Sequence, residues 1–295
     1  MEPSSEGRGR RFSLSDGRVL GYDEHGPLDG QPVFYFHGVP SSRLDFHIFG
    51  SSALAQRLGI HIIAVDRPGC GLSGYQQGRR LSDWPADVVA LADELGFGRF
   101  AVLGWSGGGQ YALACARLTP ERVTSAAVVS CMGPHDVPGM TDGISPQSAR
   151  FFKLNRDRPV MGRILDRLMA LGAQRDPEKL MTRTLAALPP VDRDALGVPA
   201  VAHAYVDALR ECFRDGPRGG QTDTSLMVSP WDFDPHGIHT PVTLWHGGLD
   251  ADAPPAMGRW LADAIPTCQP HFFADEGHIS LIVDHAETII RSLLE

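Results

Sequence analysis

A serine in a glycine-rich turn constrains the fold of this chain more than any other feature. The turn spans residues 104–109 (GWSGGG), with Ser106 at its tip and the spacing G-x-S-x-G. The apolar run 100–103 precedes it as a buried strand, and helix-forming residues 110–118 follow it. Glycines on both sides of the serine let strand and helix approach closely, so the turn lifts the Ser106 hydroxyl clear of the sheet. The sequence therefore predicts a strand, a tight turn and a helix that together present a nucleophile.

Strand-like and helix-like segments alternate around this turn. Asp16-Gly17 between two short polar and apolar segments predicts an antiparallel edge hairpin. Continuous apolar runs predict central strands covered on both faces, at 32–36, 60–65, 100–103 and 123–131. Helical periodicity fills the intervals between them. The pattern predicts an α/β fold with a mostly parallel central sheet and helices on both faces.

The alternation stops between residues 134 and 235. This stretch is helical in pattern and contains no buried strand, and one predicted amphipathic face comprises Met161, Ile164, Leu165 and Leu168. Strands resume at 242–245 and 269–273. We therefore expect residues 1–133 and 236–295 to form the core, with 134–235 inserted as a helical cap or lid.

Two further polar residues follow predicted strands at the edge where Ser106 lies. Asp250 comes after the penultimate strand and His278 after the last one. A serine hydroxyl needs a base to remove its proton, and imidazole titrates near neutral pH. A buried carboxylate then fixes the imidazole tautomer. Ser106, Asp250 and His278 are thus the predicted catalytic residues.

Other residues compete for the acid and base roles. Asp252 lies next to Asp250, and Asp136 follows the preceding strand as a more remote substitute. His271 falls inside a predicted strand and His285 in the last helix, which makes both better candidates for structural roles than His278.

Taken together, these motifs resemble the α/β-hydrolase superfamily over nearly the whole chain. The segments that carry the resemblance are 37–40 (HGVP), 66–73 (DRPGCGLS), 104–108 (GWSGG), 246–254 (HGGLDADAP) and 277–278 (GH). Only Asp250 keeps the family spacing to Pro254. The resemblance implies an oxyanion hole formed by the backbone N–H groups of Val39 and Gly107, and the latter also sits at a helix N-terminus, which favours an anion.

Several residues near the serine have two possible roles. His37 and Trp105 are candidate substrate-pocket residues, although His37 could instead bond to its own loop and Trp105 could fill the core. Asp66 and Arg67 are expected to pin the turn that follows them. Methionines around the insertion could pack in the core or line an adaptable apolar pocket: Met132, Met140, Met161 and Met169.

Composition excludes several other classes of protein. The 295 residues carry a net charge of −8, which disfavours binding to nucleic acid, and contain no apolar run long enough for a membrane span. Five scattered cysteines without C-x-x-C spacing favour a cytoplasmic location. No metal-binding or cofactor-binding motif is present, so we expect neither a metal nor a cofactor. The oligomeric state is left open.

The expected function is hydrolysis of a carboxylic ester, lactone or related acyl bond of a small, largely apolar substrate through an acyl-enzyme. Haloalkane dehalogenases and epoxide hydrolases of the superfamily use an aspartate nucleophile, so Ser106 excludes a close kinship in chemistry with them. The HGVP segment lacks the HGGPG of proline iminopeptidases, which disfavours an aminopeptidase. The same triad would also serve a carbon–carbon bond hydrolase or a cofactor-free perhydrolase. A ligand receptor on a hydrolase scaffold and an enzyme that acts on carrier-bound thioesters are further alternatives.

Overall fold

The structure, a computed structural model, describes residues 9–50 and 52–294. Its strands are β1 (Arg10–Ser13), β2 (Val19–His25), β3 (Gln31–Phe36), β4 (Ile60–Val65), β5 (Phe100–Trp105), β6 (Val123–Val129), β7 (Val242–Gly247) and β8 (Cys268–Phe273). Its helices are α1 (Phe46–Phe49), α2 (Ser52–Leu58), α3 (Trp84–Glu94), α4 (Gly108–Leu118), α5 (Pro146–Asp157), α6 (Pro159–Arg175), α7 (Pro177–Ala187), α8 (Pro190–Leu196), α9 (Pro199–Cys212), α10 (Arg218–Met227), α11 (Pro255–Ala264) and α12 (Ser280–Arg291).

The strands form one eight-stranded sheet in the order β1-β2-β4-β3-β5-β6-β7-β8. β2 pairs antiparallel with both β1 and β4, whereas all pairings from β4 through β8 are parallel. The predicted hairpin closes as expected, with Gly17 at a φ of 86°. The mostly parallel sheet confirms the predicted fold class.

Both faces of the sheet are covered because the central strands are apolar on both sides. On β3, Phe34 and Phe36 pack into one core cluster beneath α3 and α4. The alternate residue Tyr35 packs into a second cluster on the opposite face, with Phe46 of α1 and Ile289 of α12. Since β3, β5, β7 and β8 run parallel, the loops that follow them meet at one edge of the sheet.

Helices α5 to α10 lie between β6 and β7, within the stretch predicted as an insertion. The amphipathic face predicted on α6 is exposed in the structure. Met161, Ile164 and Leu168 are 50%, 51% and 60% exposed, and the buried side carries small residues such as Gly162 and Ala170. Small residues permit close contact with neighbouring helices, so they decide which side of α6 turns inward. Among the described residues, no helix is both long and apolar enough to cross a membrane.

Candidate active site

Ser106 occupies the tip of the turn from β5 into α4. Its φ is 54°, a left-handed conformation that is uncommon outside glycine, and its N–H donates to the carbonyl of Val129 at 2.8 Å. The flanking glycines are required by close backbone contacts. A Cβ on Gly104 would lie 2.4 Å from the carbonyl oxygen of Gly108, and one on Gly108 would lie 2.1 Å from that of Phe36. The glycine spacing in the sequence thus reflects the crowding that holds the serine in place.

The structure brings the three predicted catalytic side chains into one hydrogen-bonded chain. His278 Nε2 lies 3.0 Å from Ser106 Oγ, and His278 Nδ1 lies 2.9 Å from Asp250 Oδ2 and 3.0 Å from Oδ1. Ser106 and His278 are each 7% exposed, and Asp250 is 2% exposed. The bond from Nδ1 to the carboxylate leaves Nε2 unprotonated toward the serine in the neutral ring, which is the tautomer that can accept the hydroxyl proton.

Backbone amides fix the orientation of Asp250. Its Oδ1 accepts hydrogen bonds from the N–H groups of Asp252 and Ala253, at 3.0 and 2.7 Å. Asp252 and Asp136 are the alternative candidates for the acid role. Asp252 accepts a hydrogen bond from Ser148 of α5, and Asp136 is exposed. His271 stacks on Trp245 at a centroid distance of 4.1 Å and His285 bonds to Glu276, so neither of these histidines is the one joined to Ser106.

Asp192 of α8 is a site residue that the sequence analysis missed. Its Oδ2 accepts the N–H of His278 at 3.1 Å, while Oδ1 accepts those of Ile279 and Ser280 at 2.8 and 3.0 Å. A Cβ on Gly277 would lie 2.4 Å from Asp192 Oδ1. A carboxylate from the inserted helices therefore caps the start of α12 and holds the histidine loop, a contact between residues 86 positions apart.

The two predicted oxyanion residues lie against each other beside the serine. A Cβ on Gly107 would lie 2.5 Å from Val39 Cγ2. Asp45 anchors the Val39 loop by accepting the N–H of Gly38 at 2.9 Å and the hydroxyl of Tyr35 at 2.7 Å. Within the described chain, the N–H groups of Val39 and Gly107 have no protein acceptor. Both donors are therefore unpaired, and the two residues that carry them are neighbours, as an oxyanion hole requires.

His37 does not line a pocket in this structure. The side chain is fully buried, its Nδ1 donates to the carbonyl of Gly38 at 2.9 Å, and its Nε2 accepts the N–H of Arg67 at 3.2 Å. Burial and the neighbouring guanidinium of Arg67 hold the pKa of His37 well below its usual range. Its candidate role as a pocket residue is corrected: both ring nitrogens of the neutral ring are used by the backbone, which leaves none for a substrate.

Trp105 lies between the serine turn and the histidine loop. Its indole N–H donates to the carbonyl of His278 at 3.3 Å, and its ring centroid is 5.7 Å from that of His278. The side chain is 5% exposed and belongs to the core cluster on the α12 side of the sheet. The structure favours its alternative as a core residue, which also contacts His278, the candidate base.

A separate apolar cluster covers the other side of the oxyanion residues. It contains buried methionines together with partly buried Val39, and Met227 Sδ lies 3.4 Å from the point that a Cβ on Gly107 would occupy. We call this cluster the methionine wall: Met132, Met140, Met227 and Met257. Of the predicted methionines, Met132 and Met140 belong to it, whereas Met161 is exposed and Met169 packs in a different cluster.

A surface cavity of about 860 Å³ is lined by residues of α6, of α10 and of the segment between α9 and α10. Its lining includes Arg163 and Ile164 of α6 and Arg218 of α10, and none of the three triad residues. Ser106 is buried and does not line this cavity. In the described residues, no three His, Cys, Asp or Glu side chains are grouped as metal ligands would be.

The electrostatics of the Asp250–His278 pair predict that activity keeps rising with pH into the alkaline range. Burial alone would lower the pKa of His278, but the charge and hydrogen bond of Asp250 outweigh it and raise the pKa to about 9. Burial raises the pKa of Asp250, and the His278 partner lowers it below the usual range. Only the neutral imidazole can accept the Ser106 proton, so kcat/KM should rise about tenfold per pH unit until it levels off near pH 9. A pH profile of kcat/KM from 6 to 10 on an uncharged ester checks this, and a limb that levels off near 6.5 would contradict it.

The fold and the site together define an α/β hydrolase enzyme with a serine at a strand-to-helix turn. A family model described as alpha/beta hydrolase fold matches residues 31–285, and the chain belongs to that family. A pimeloyl-[acyl-carrier protein] methyl ester esterase of Chromobacterium violaceum is 29% identical over 82% of this chain and 85% of that protein. A non-heme chloroperoxidase of Streptomyces lividans is 38% identical over 41% of this chain, and the match spans only 44% of that protein. A hydrolase from Pseudomonas aeruginosa shares the fold, with a TM-score of 0.73 and 17% identity over 98% of this chain and 99% of that one.

Proposed function

We propose that this hydrolase cleaves a carboxylic ester or lactone of a small, largely apolar substrate through an acyl-enzyme on Ser106. The observation that carries the proposal is the hydrogen-bonded chain from Ser106 through His278 to Asp250, beside two unpaired backbone N–H groups. A nucleophile, a base, an orienting carboxylate and oxyanion donors are the parts that acyl transfer needs. The similarity to a methyl ester esterase, which covers 82% of this chain and 85% of that protein, supports the same chemistry.

The reaction follows from these positions. Ser106 Oγ attacks the carbonyl carbon as its proton passes to His278 Nε2, and the N–H groups of Val39 and Gly107 bind the oxyanion. Collapse of the tetrahedral intermediate breaks the ester bond, and His278 gives its proton to the leaving alcohol. His278 next removes a proton from water, which attacks the acyl-enzyme. As this second tetrahedral intermediate collapses, His278 returns the proton to Ser106 Oγ and the acid is released. Asp250 stabilises the imidazolium in both halves of the reaction.

The acyl group is proposed to lie against the methionine wall, which adjoins both oxyanion donors. Methionine side chains are flexible and polarizable, so such a wall suits unbranched or variable apolar groups. Residues 134–235 would act as the cap that covers this wall and excludes water. We propose that the enzyme works on a small molecule in the cytoplasm, without nucleic acid, membrane or cofactor; its cysteines are free thiols in the structure.

A perhydrolase activity is the second candidate, because a bifunctional esterase/perhydrolase of Acinetobacter calcoaceticus is 31% identical over 41% of this chain and 44% of that protein. Here hydrogen peroxide would replace water as the acceptor of the acyl group on Ser106, so that a peracid leaves instead of an acid. The same four groups would serve, since only the second nucleophile changes.

A substrate panel with active-site labelling tests the proposal. The full chain is assayed on p-nitrophenyl butyrate, a methyl ester, a γ-lactone, an amide and a thioester, and peracid formation is measured with acetate and hydrogen peroxide. We expect turnover of the esters or the lactone and labelling by a fluorophosphonate at Ser106, located by peptide mass spectrometry. Heat-denatured protein serves as the control for nonspecific labelling. Labelling at another serine, or no turnover of any acyl compound, would contradict the proposal.

A further inference from the structure

A buried carboxylate on the inserted helices lies at the centre of an ion-pair network that the proposed reaction does not use. Asp223 of α10 is 1% exposed, and its Oδ2 lies 2.9 Å from Arg67 Nε. Its Oδ1 accepts hydrogen bonds from Arg79 and from the hydroxyl of Tyr111, the latter at 2.9 Å. Burial would raise the pKa of Asp223, but the two guanidinium groups hold it far below its usual range, so the carboxylate is ionised at any working pH.

Arg67 links Asp223 to the loop beside Ser106. Its guanidinium donates to the carbonyl of His37 and, at 2.6 Å, to the carbonyl of Gly38. The Gly38 carbonyl and the Val39 N–H belong to one planar peptide unit and point in opposite directions. A guanidinium that fixes the carbonyl therefore also fixes the direction of the Val39 N–H, the donor assigned to the oxyanion.

Arg67 by itself could occupy other positions, because its stem is flexible. Asp223 removes that freedom: it binds Nε, while the two terminal nitrogens point to the carbonyls. The helix that carries Asp223 is seated tightly on the core, since a Cβ on Gly219 would lie 2.1 Å from the carbonyl oxygen of Gly69. The carboxylate is thus supplied by an element in close contact with the core.

We propose that Asp223 is a positioning residue, which orients the oxyanion donor Val39 through Arg67 and so makes catalysis depend on the seating of α10. The inference rests on the proposed function, because it concerns the same oxyanion hole. A positioning role and a purely structural role of Asp223 predict different kinetic results. Loss of Asp223 should weaken binding of the tetrahedral intermediate more than binding of the substrate.

The test compares Asp223→Asn with the wild type on p-nitrophenyl butyrate and on a trifluoromethyl ketone, which forms a tetrahedral adduct with the serine. We expect kcat to fall about 10- to 100-fold and the ketone affinity to fall by a similar factor. KM should change by less than about threefold, since the variant keeps the substrate pocket. Thermal unfolding of each variant confirms that the protein is folded.

Glu211→Gln is the matched control, because Glu211 also joins the inserted helices to a core arginine, Arg43, at 2.7 Å. The described partners of the Arg43 guanidinium are carboxylates and not the carbonyls of His37 or Gly38, and without Glu211 it keeps Asp23 and Asp66. This variant should keep kcat within about threefold of the wild type.

Arg67→Lys gives a second route if Asp223→Asn does not fold. Lysine keeps the charge beside Asp223 but lacks the fork that reaches both carbonyls. It should reproduce the loss of ketone affinity, and the double variant should lose little more than either single one. The inference is overturned if Asp223→Asn or Arg67→Lys keeps the ketone affinity, or if the two losses add. A wild type that neither hydrolyses the ester nor binds the ketone overturns the proposed function itself, which is a distinct outcome.

Discussion

We expect the Ser106→Ala variant to lower kcat for ester hydrolysis by about 10⁴-fold or more. The loss should be this large because the hydroxyl forms the covalent bond to the acyl group, and no described side chain at hydrogen-bonding distance from His278 Nε2 can replace it. Residual turnover from the oxyanion donors and the binding site would remain above the uncatalysed rate. Initial rates on p-nitrophenyl butyrate, with burst-phase kinetics in the wild type, measure the effect.

Ser225→Ala, an exposed serine on α10, is the control and should keep wild-type rates. Thermal unfolding should show Ser106→Ala to be folded, since the neighbouring glycines and the backbone bond to Val129 do not depend on the hydroxyl. A Ser106→Ala variant with more than about a tenth of wild-type kcat would contradict the assignment of the nucleophile.

The sheet and the serine turn could be predicted because their signals are local. An apolar run of five or six residues is enough to indicate a buried strand, and the glycine spacing around Ser106 follows from contacts within that turn. The positions of Asp250 and His278 followed from a rule about parallel strands, whose carboxyl ends meet at one edge. Local pattern and topology together were therefore enough to indicate the region of the candidate triad, and the family resemblance, through the spacing to Pro254, selected Asp250 over Asp252.

The contributions of the inserted helices could not be predicted, because they depend on contacts between distant parts of the chain. Asp192 and Asp223 lie on helices of ordinary composition, and their partners are 86 and 156 positions away. No periodicity marks a carboxylate that caps another helix or clamps another loop. The same limit applies to α6, whose buried side carries the small residues Gly162 and Ala170 while its apolar side is exposed.

Asp250 and Asp252 are the two neighbouring candidates for the carboxylate that orients His278. Exchange of each for asparagine should distinguish them. In Asp250→Asn, the N–H groups of residues 252 and 253 would retain an oxygen at the Oδ1 position, which turns the amide nitrogen toward His278 Nδ1. A donor there forces the ring proton onto Nε2, the atom that must accept from Ser106. We therefore expect kcat to fall about 10³- to 10⁴-fold, as measured by steady-state kinetics at pH 8.

Asp252→Asn is the matched control for this prediction. Asp252 bonds to Ser148 and acts on His278 only through its charge, which contributes to the raised pKa of that ring. Loss of this charge should leave kcat within about threefold of the wild type. It should also shift the rise of kcat/KM with pH slightly toward lower pH. If Asp252→Asn lost as much activity as Asp250→Asn, the carboxylate bound to Nδ1 would not be the one that matters. Asp250 and Asp252 are two positions apart in the sequence, but only Asp250 bonds to the imidazole ring of His278. The comparison therefore tests the geometry of the site and not merely the charge near it.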